Sequence, residues 1–225
     1  MKDLLNQISI CIEHGKVSSQ SQHPADMKGL AGAIELTEEA LNSKIPAKDI
    51  LDYGLLKGMQ TVGDKFRDGK IFIPEVLISA KAMNSAMELL KPFFISGELK
   101  LKGKVILGTV SGDLHDIGKN ILKMVLEGGG WQVIDLGVNV NAEKFINSLR
   151  EHNAKIIGLS ALLTTTMQNM EVIIKSIREN FNDVVIVVGG APLNMGFANK
   201  INADAYFPAP QGMLDYINNL FINSN

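Results

Sequence analysis

The first ninety residues repeat apolar and polar positions with helical spacing. Asp3 to His14, Gly29 to Asn42, Ala47 to Phe66 and Pro74 to Leu90 each put apolar side chains three and four positions apart, the repeat that lines one face of a helix. These segments predict a four-helix bundle. Pro46 and Pro74 stand at or near helix starts, where a missing amide proton does no harm, and the polar, proline-broken stretch Ser18 to Lys28 reads as a loop. Past Pro92 the rhythm changes. From Lys104 short β-branched runs alternate with amphipathic ones, giving strands near 104–110, 132–136, 155–160, 184–188 and 204–207, and helices near 117–128, 141–152, 166–180, 193–200 and 211–222. Such alternation predicts an α/β domain built on a doubly wound, five-stranded parallel sheet of order 2-1-3-4-5, with its site where the order reverses. The chain so divides into a helical domain (1–95), a linker (96–103) and an α/β domain (104–225).

One turn in the second half carries candidate chemistry. Ser111-Gly112-Asp113-Leu114-His115-Asp116-Ile117-Gly118-Lys119-Asn120 joins the first strand to its helix, so His115 lies at the carboxyl end of a buried strand. Asp113 is placed to accept the Nδ1 proton and leave Nε2 free for a metal. The competing reading is a helix N-terminus in which Asp113 or Asp116 caps and His115 is merely exposed. Gly128-Gly129-Gly130 follows a helix and precedes a strand, which reads as a helix C-cap. Trp131 then packs at the strand's edge. His14, His23 and His152 lack partners at ligand spacing and read as surface residues.

Composition narrows the function. The 225 residues suffice for two modest domains, and 46% hydrophobic with 20% charged residues is ordinary for a globular chain. Net charge is −2 and no stretch concentrates Lys and Arg, so nucleic acid is not expected as a partner. Apolar runs such as Val184 to Val188 are too short to cross a bilayer, and the polar, acid-bearing N-terminus does not read as a signal peptide, which together predict a cytoplasmic location without a membrane partner. One cysteine, Cys11, excludes a disulfide framework or thiolate cluster within the chain and reads as a small apolar residue of the first helix.

Asp113-x-His115-x-x-Gly118, then Ser160-x-Leu162, then Gly189-Gly190 each follow an apolar strand, and this ordered set resembles the cobalamin-binding module of methionine synthase and the corrinoid carrier proteins of anaerobic methyltransferase systems. GDLHDIGKNI, LSALLTTTM and VVGGAP are closest to the carriers, and the resemblance runs from about Glu35 to about Asp204. It implies a flavodoxin-like, Rossmann-like cobalamin-binding domain. His115 would be the lower axial ligand of cobalt, with Asp113 and Thr166 completing a relay; Thr166 stands where methionine synthase has serine. Asp116, Ile117, Gly118, Ser160, Leu162, Thr164, Gly189 and Gly190 would hold the displaced nucleotide tail, the glycines by leaving room for it. In the helical half, Gly54-x-x-x-Gly58 to Val76 looks like the cap that covers the upper face of the corrin, with Phe66, Phe72, Ile73 and Val76 facing the cofactor. The alternative for these apolar residues is ordinary bundle core.

The cofactor implied is cobalamin or a related corrinoid, passing through methylcobalamin, Co(II) and Co(I) forms. The protein would then be a carrier and not a complete enzyme. Its implied partners are a substrate-specific methyltransferase, a second methyltransferase delivering to tetrahydrofolate or coenzyme M, and a corrinoid reductive activator. The methyl donor class expected is methoxylated aromatics, by O-demethylation, or methylamines. Competing readings are the cobalamin-binding subunit of a mutase, a cobalamin-dependent regulator, and a corrinoid-free enzyme using His115 as general base. The segments Pro24 to Gly29 and Tyr206-Phe207-Pro208-Ala209-Pro210 depart from the commonest carriers.

Overall fold

A computed structural model describes residues 2–222, the last of them in backbone only. The chain forms two compact units that divide between Lys100 and Leu101, with the short segment Gly128–Gly130 counted in the first. Among the described residues no helix is long and apolar enough to cross a membrane.

The first unit is helical: α1 (Lys2–Glu13), α2 (Ala33–Asn42), α3 (Ala47–Asp49), α4 (Lys57–Arg67) and α5 (Ile73–Ile95). Between α3 and α4 the helix continues through a π-helical stretch, Ile50–Leu56, so residues 47–67 form one run with a widened middle. Gly54 and Gly58 lie against α1. A Cβ on Gly58 would stand 2.6 Å from the Ile12 Cβ, and one on Gly54 would stand 2.9 Å from Ile8 Cγ2. Their spacing thus serves helix packing. Ile8, Ile12, Ile50, Leu55, Val62, Val76, Met83 and Leu90 centre the core. Cys11 is buried there, and burial pushes its thiol up to about 11 although the Lys16 charge pulls the other way.

Two helix ends differ from the sequence expectation. α2 starts at Ala33 and not at Gly29, because the Glu35 carboxylate accepts the Gly32 N–H at 2.9 Å and fixes the first turn there; it also takes the N–H and hydroxyl of Ser19. α5 runs through Pro92 to Ile95, five residues beyond Leu90. A proline so near a helix end forfeits one hydrogen bond, and Ser96 N–H still closes the last turn on the Pro92 carbonyl at 2.9 Å.

The second unit alternates strand and helix: β1 (Lys104–Thr109), α6 (Ile117–Gly128), β2 (Gln132–Asp135), α7 (Ala142–His152), β3 (Ile156–Ser160), α8 (Thr164–Asn180), β4 (Val185–Gly189), α9 (Met195–Lys200), β5 (Ala205–Tyr206) and α10 (Pro210–Ile222). All strands are parallel and their order is β2-β1-β3-β4-β5, as the alternation predicts. One face packs Ile106, Ile157, Ile186 and Val188 against Phe145, Leu149, Met170 and Ile174 of α7 and α8. The other packs Val105, Ile156, Val187 and Ala205 against Val125 and Leu126 of α6 and Met213, Leu214 and Ile217 of α10. Trp131 is buried on this second face, its indole N–H donating to Asn218 Oδ1 at 3.0 Å. His14 and His23 are exposed, while His152 is half-buried at the end of α7.

Candidate functional site

The site is the loop between β1 and α6. Thr109, the last residue of β1, is buried, and its hydroxyl donates to the His115 carbonyl at 2.9 Å, drawing the loop back over the strand end. Asn139 sits in the left-handed region at φ 54°. Its Oδ1 accepts the Gly112 N–H at 2.8 Å and its own N–H donates to the Asp113 carbonyl at 3.0 Å. Asn169 of α8 donates to the Ser111 carbonyl at 2.6 Å. Three neighbouring elements therefore fix one turn. Sequence reasoning missed Thr109, Asn139 and Asn169, and isolated polar residues at strand and loop ends gave no pattern to find them by.

At the loop's centre the Asp113 carboxylate is fully buried and fully engaged. Oδ1 accepts the His115 backbone N–H at 3.0 Å and faces His115 Nδ1 at 2.8 Å. Oδ2 accepts the Leu162 N–H at 2.8 Å, the Leu163 N–H at 3.3 Å and the Thr166 hydroxyl at 2.6 Å. Burial works to raise this carboxyl, but the hydrogen bonds from Thr166, His115 and Leu162 outweigh it and hold it far below the usual carboxylate range. A charged Asp113 can only accept, so the His115 proton belongs on Nδ1 and Nε2 keeps its lone pair. The imidazole is half exposed. The carboxylate that orients the imidazole also meets the Leu162 and Leu163 amides just ahead of α8 and the Thr166 hydroxyl in its first turn.

Several other expected site residues gather round this group. Leu114 and Ile117 (both 71% exposed) flank His115 in sequence, and Leu162 and Leu163, whose amides meet Asp113, are exposed as well. Leu114 and Leu163 had no assigned role in the sequence reading. Gly118 opens α6 on free space, since a Cβ there would meet no atom within 4 Å. Asp116 turns inward, its carboxylate accepting from Asn120 Nδ2 at 3.0 Å, and it anchors the start of α6. Thr164 is the exposed first residue of α8, and Thr166 is buried one position beyond Thr165. Leu163, and not a threonine, occupies the N-cap position of α8, and its own N–H donates to Asp113 in the loop after the neighbouring strand, β1.

Ser160 and Gly189 pair in register at the ends of β3 and β4. Gly190 is a different kind of glycine from Gly118. It has φ 140° and a Cβ there would stand 1.8 Å from the Ala161 carbonyl oxygen, so its small size is demanded by the chain itself.

The expected cap residues lie in the helical unit and divide by exposure. Phe72 is 68% exposed and Ile73 40% exposed at the start of α5, where Glu75 caps the Phe72 N–H at 3.0 Å. Phe66 is half-buried against the bundle core. Val76 is 1% exposed, one turn inward, and its side chain belongs to that core.

A buried ion pair lies behind α6. Lys119 is 3% exposed, and its ammonium bonds both oxygens of Asp135 at the end of β2, at 2.6 and 2.7 Å. Asp135 also accepts the Gly137 N–H at 2.9 Å. Burial works to raise the Asp135 carboxyl, and these donors carry it below its ordinary value.

The fit of a corrinoid to these residues follows from the donor set. His115 Nε2 offers one neutral ligand atom, and among the described residues no three His, Cys, Asp or Glu gather to hold a bare ion. A metal bound here brings its remaining ligands with it, as a macrocycle does.

Comparison with known proteins agrees. Residues 103–208 match a B12 binding domain family, and residues 30–91 match a second family of the same description. A corrinoid protein of Desulfitobacterium hafniense is 38% identical over 191 residues, covering 83% of this chain and 88% of its own. A trimethylamine corrinoid protein of Methanosarcina acetivorans is 41% identical over 178 residues, 77% of this chain and 82% of its own. In the methanol:cobalamin methyltransferase complex of Methanosarcina barkeri one chain superposes with a TM-score of 0.83 at 28% identity, covering 98% of this chain and 80% of that one.

Proposed function

Because the chain belongs to the family of B12-binding corrinoid proteins, we propose that it holds a corrinoid on His115 and carries methyl groups within a methyltransferase system. The observation that carries this reading is the buried relay from His115 Nδ1 through Asp113 to the Thr166 hydroxyl, which aims a neutral Nε2 outward. Bound there, the corrinoid supplies a cobalt centre that accepts and releases a methyl group, chemistry no side chain provides.

The chain's own residues orient and shield the group. Asp113 keeps the Nδ1 proton in place and so keeps Nε2 a ligand atom. Were a corrinoid bound, His115 would be the residue that holds its metal, and the Asp113 carboxylate 2.8 Å from Nδ1 would fix the ring's orientation. Leu114, Ile117, Leu162 and Leu163 cover apolar parts of a macrocycle, and Gly118 leaves room for its nucleotide tail. In the helical unit the exposed Phe72 and Ile73, with the half-buried Phe66, are assigned to shielding the cofactor from water, and Val76 packs in that unit's core.

The chain is a carrier subunit without turnover of its own. A substrate-specific methyltransferase loads it, a second methyltransferase unloads it and a reductive activator restores it after oxidation. Of the two donor classes, methylamines are favoured over methoxylated aromatics, since relatives bearing trimethylamine and dimethylamine names share 38–41% identity with this chain.

Reconstitution tests the reading. The parent should bind hydroxocobalamin, and its reduced Co(II) form should show nitrogen hyperfine splitting from a protein imidazole by electron paramagnetic resonance. His115→Ala should fold, lose that splitting and release the corrinoid faster. An unchanged cobalt spectrum in the variant, or methyl-donor turnover by this chain alone, would overturn it.

A further inference from the structure

The carboxyl ends of the strands build a second polar feature on the face shared by α6 and α10. Parallel register puts Val105, Leu107 and Thr109 of β1 beside Ile156, Gly158 and Ser160 of β3, and these beside Val185, Val187 and Gly189 of β4. Partners in register point to one face, and the packing of Val105, Ile156 and Val187 with α6 and α10 shows which face it is. Its top row therefore shrinks to Thr109, Ser160 and Gly189. In the row below, Leu107 Cδ1 and Met213 Cε of α10 lie 2.7 and 3.6 Å from where a Gly158 Cβ would be and close the floor beneath.

α10 begins above the same floor. Its first turn follows the segment Tyr206 to Pro210, and the Phe207 carbonyl stands 3.9 Å from a would-be Cβ on Gly189. The Phe207 ring lies against Gly212 and packs on Tyr216 at 5.4 Å. Gln211, in the same first turn of α10, is 1% exposed. Its Nε2 donates to Asp215 Oδ1 at 3.0 Å. A carboxylate must be met by a donor, so the amide cannot be turned round, and Oε1 points the other way. Among the described residues that oxygen is buried and meets no donor. A buried amide oxygen without a partner is uncommon and marks a place for one.

Resting on the corrinoid reading above, we propose that Gln211 selects corrinoids by their lower nucleotide base, accepting a hydrogen bond from a hydroxyl or exocyclic amine on the base edge. The small-residue floor receives the flat base, Phe207 walls it, and Gln211 reads its edge. Dimethylbenzimidazole carries only methyl groups on that edge, and it would leave Oε1 buried and unpaired. Corrinoids with a hydroxylated benzimidazole or an adenine supply the donor.

The test is a set of binding titrations on the full chain with four probes: cobalamin, 5-hydroxybenzimidazolylcobamide, adenylcobamide and cobinamide, which has no nucleotide. The parent should bind both donor-bearing cobamides about tenfold more tightly than cobalamin, as expected of a buried hydrogen bond made or lost. Gln211→Leu should close that gap by weakening those two alone. The parent's own ranking decides the matter even if the variant fails to fold. Equal affinity of the parent for the three cobamides would overturn the proposal. So would a uniform loss for all three in Gln211→Leu with cobinamide unaffected, because Gln211 would then read ribose or phosphate. Binding of none of the four, cobinamide included, would sink the corrinoid reading and this proposal with it.

Discussion

The Thr166 hydroxyl reaches Asp113 Oδ2 at 2.6 Å across a sequence separation of 53 residues, and both groups are buried. Thr166→Val keeps the shape and removes the donor. It should cost about 2 kcal/mol in urea denaturation, in the range for hydrogen bonds to a charged group. Thr166→Ser should recover most of it. Asp113→Asn should cost more, because an amide group turned towards Thr166 or Leu162 cannot accept their protons. Equal stability of Val and parent would show that the hydroxyl contributes nothing.

Acid should act on the second unit through Asp113 and Asp135. Both carboxyls are carried below their ordinary value in the folded chain, so each contributes stability that is complete above the unfolded value of about 3.9 and is lost as pH falls below it. On account of these groups the urea midpoint should hold steady from pH 7 to 5 and fall below about pH 4. Asp135→Asn should flatten the fall. An acid limb of the same slope in parent and variant would exclude Asp135 as a contributor.

The two glycines of the site should behave oppositely. Gly118→Ala puts a methyl group into open space in the first turn of α6 and should leave stability unchanged or slightly raised. Its effect should appear only in corrinoid affinity. Gly190→Ala forces a Cβ into the Ala161 carbonyl and should lower the unfolding free energy by about 3 kcal/mol or more. Thermal unfolding without any corrinoid separates the two, and a Gly190→Ala protein as stable as the parent would refute the close contact.

Lys119→Met should be destabilising, by about 2 kcal/mol, because it leaves the partly buried Asp135 charge with only the Gly137 N–H and the Lys123 ammonium at 3.9 Å. Pairing it with Asp135→Leu should restore much of the loss. The double-mutant cycle measures the coupling, and additive single effects would show that the ion pair does not hold α6 to β2.

The parallel sheet and the pairing of His115 with Asp113 were legible because strand periodicity and a two-residue spacing are local signals. Thr166, 53 residues from Asp113, was legible only through the resemblance to methionine synthase. The support of the relay was not legible. Asn139 and Asn169 act through single hydrogen bonds to backbone atoms at sequence separations of 27 and 58, and no periodicity encodes such pairs. The π-helical stretch at Ile50–Leu56 was equally hidden, because apolar spacing cannot tell one extra residue in a turn from ordinary drift. Gly54 and Gly58 showed the limit of motif reading: their spacing belonged to the approach of α1, which needs the third dimension to be seen. Val76 illustrates the same point, since its place beside Phe72 in sequence says nothing of the turn of helix that buries it.

α8 has no capping side-chain bond at its N-cap, and it is tied to Asp113 through the Thr166 hydroxyl and through the Leu162 and Leu163 amides that lead into it. The seventeen-residue helix and the imidazole therefore share one anchor. Gln168, Glu171, Val172 and Lys175 lie exposed on the outer side of that helix. A displacement of α8 along its axis would therefore reach the carboxylate through Thr166, and through the carboxylate the ring it orients.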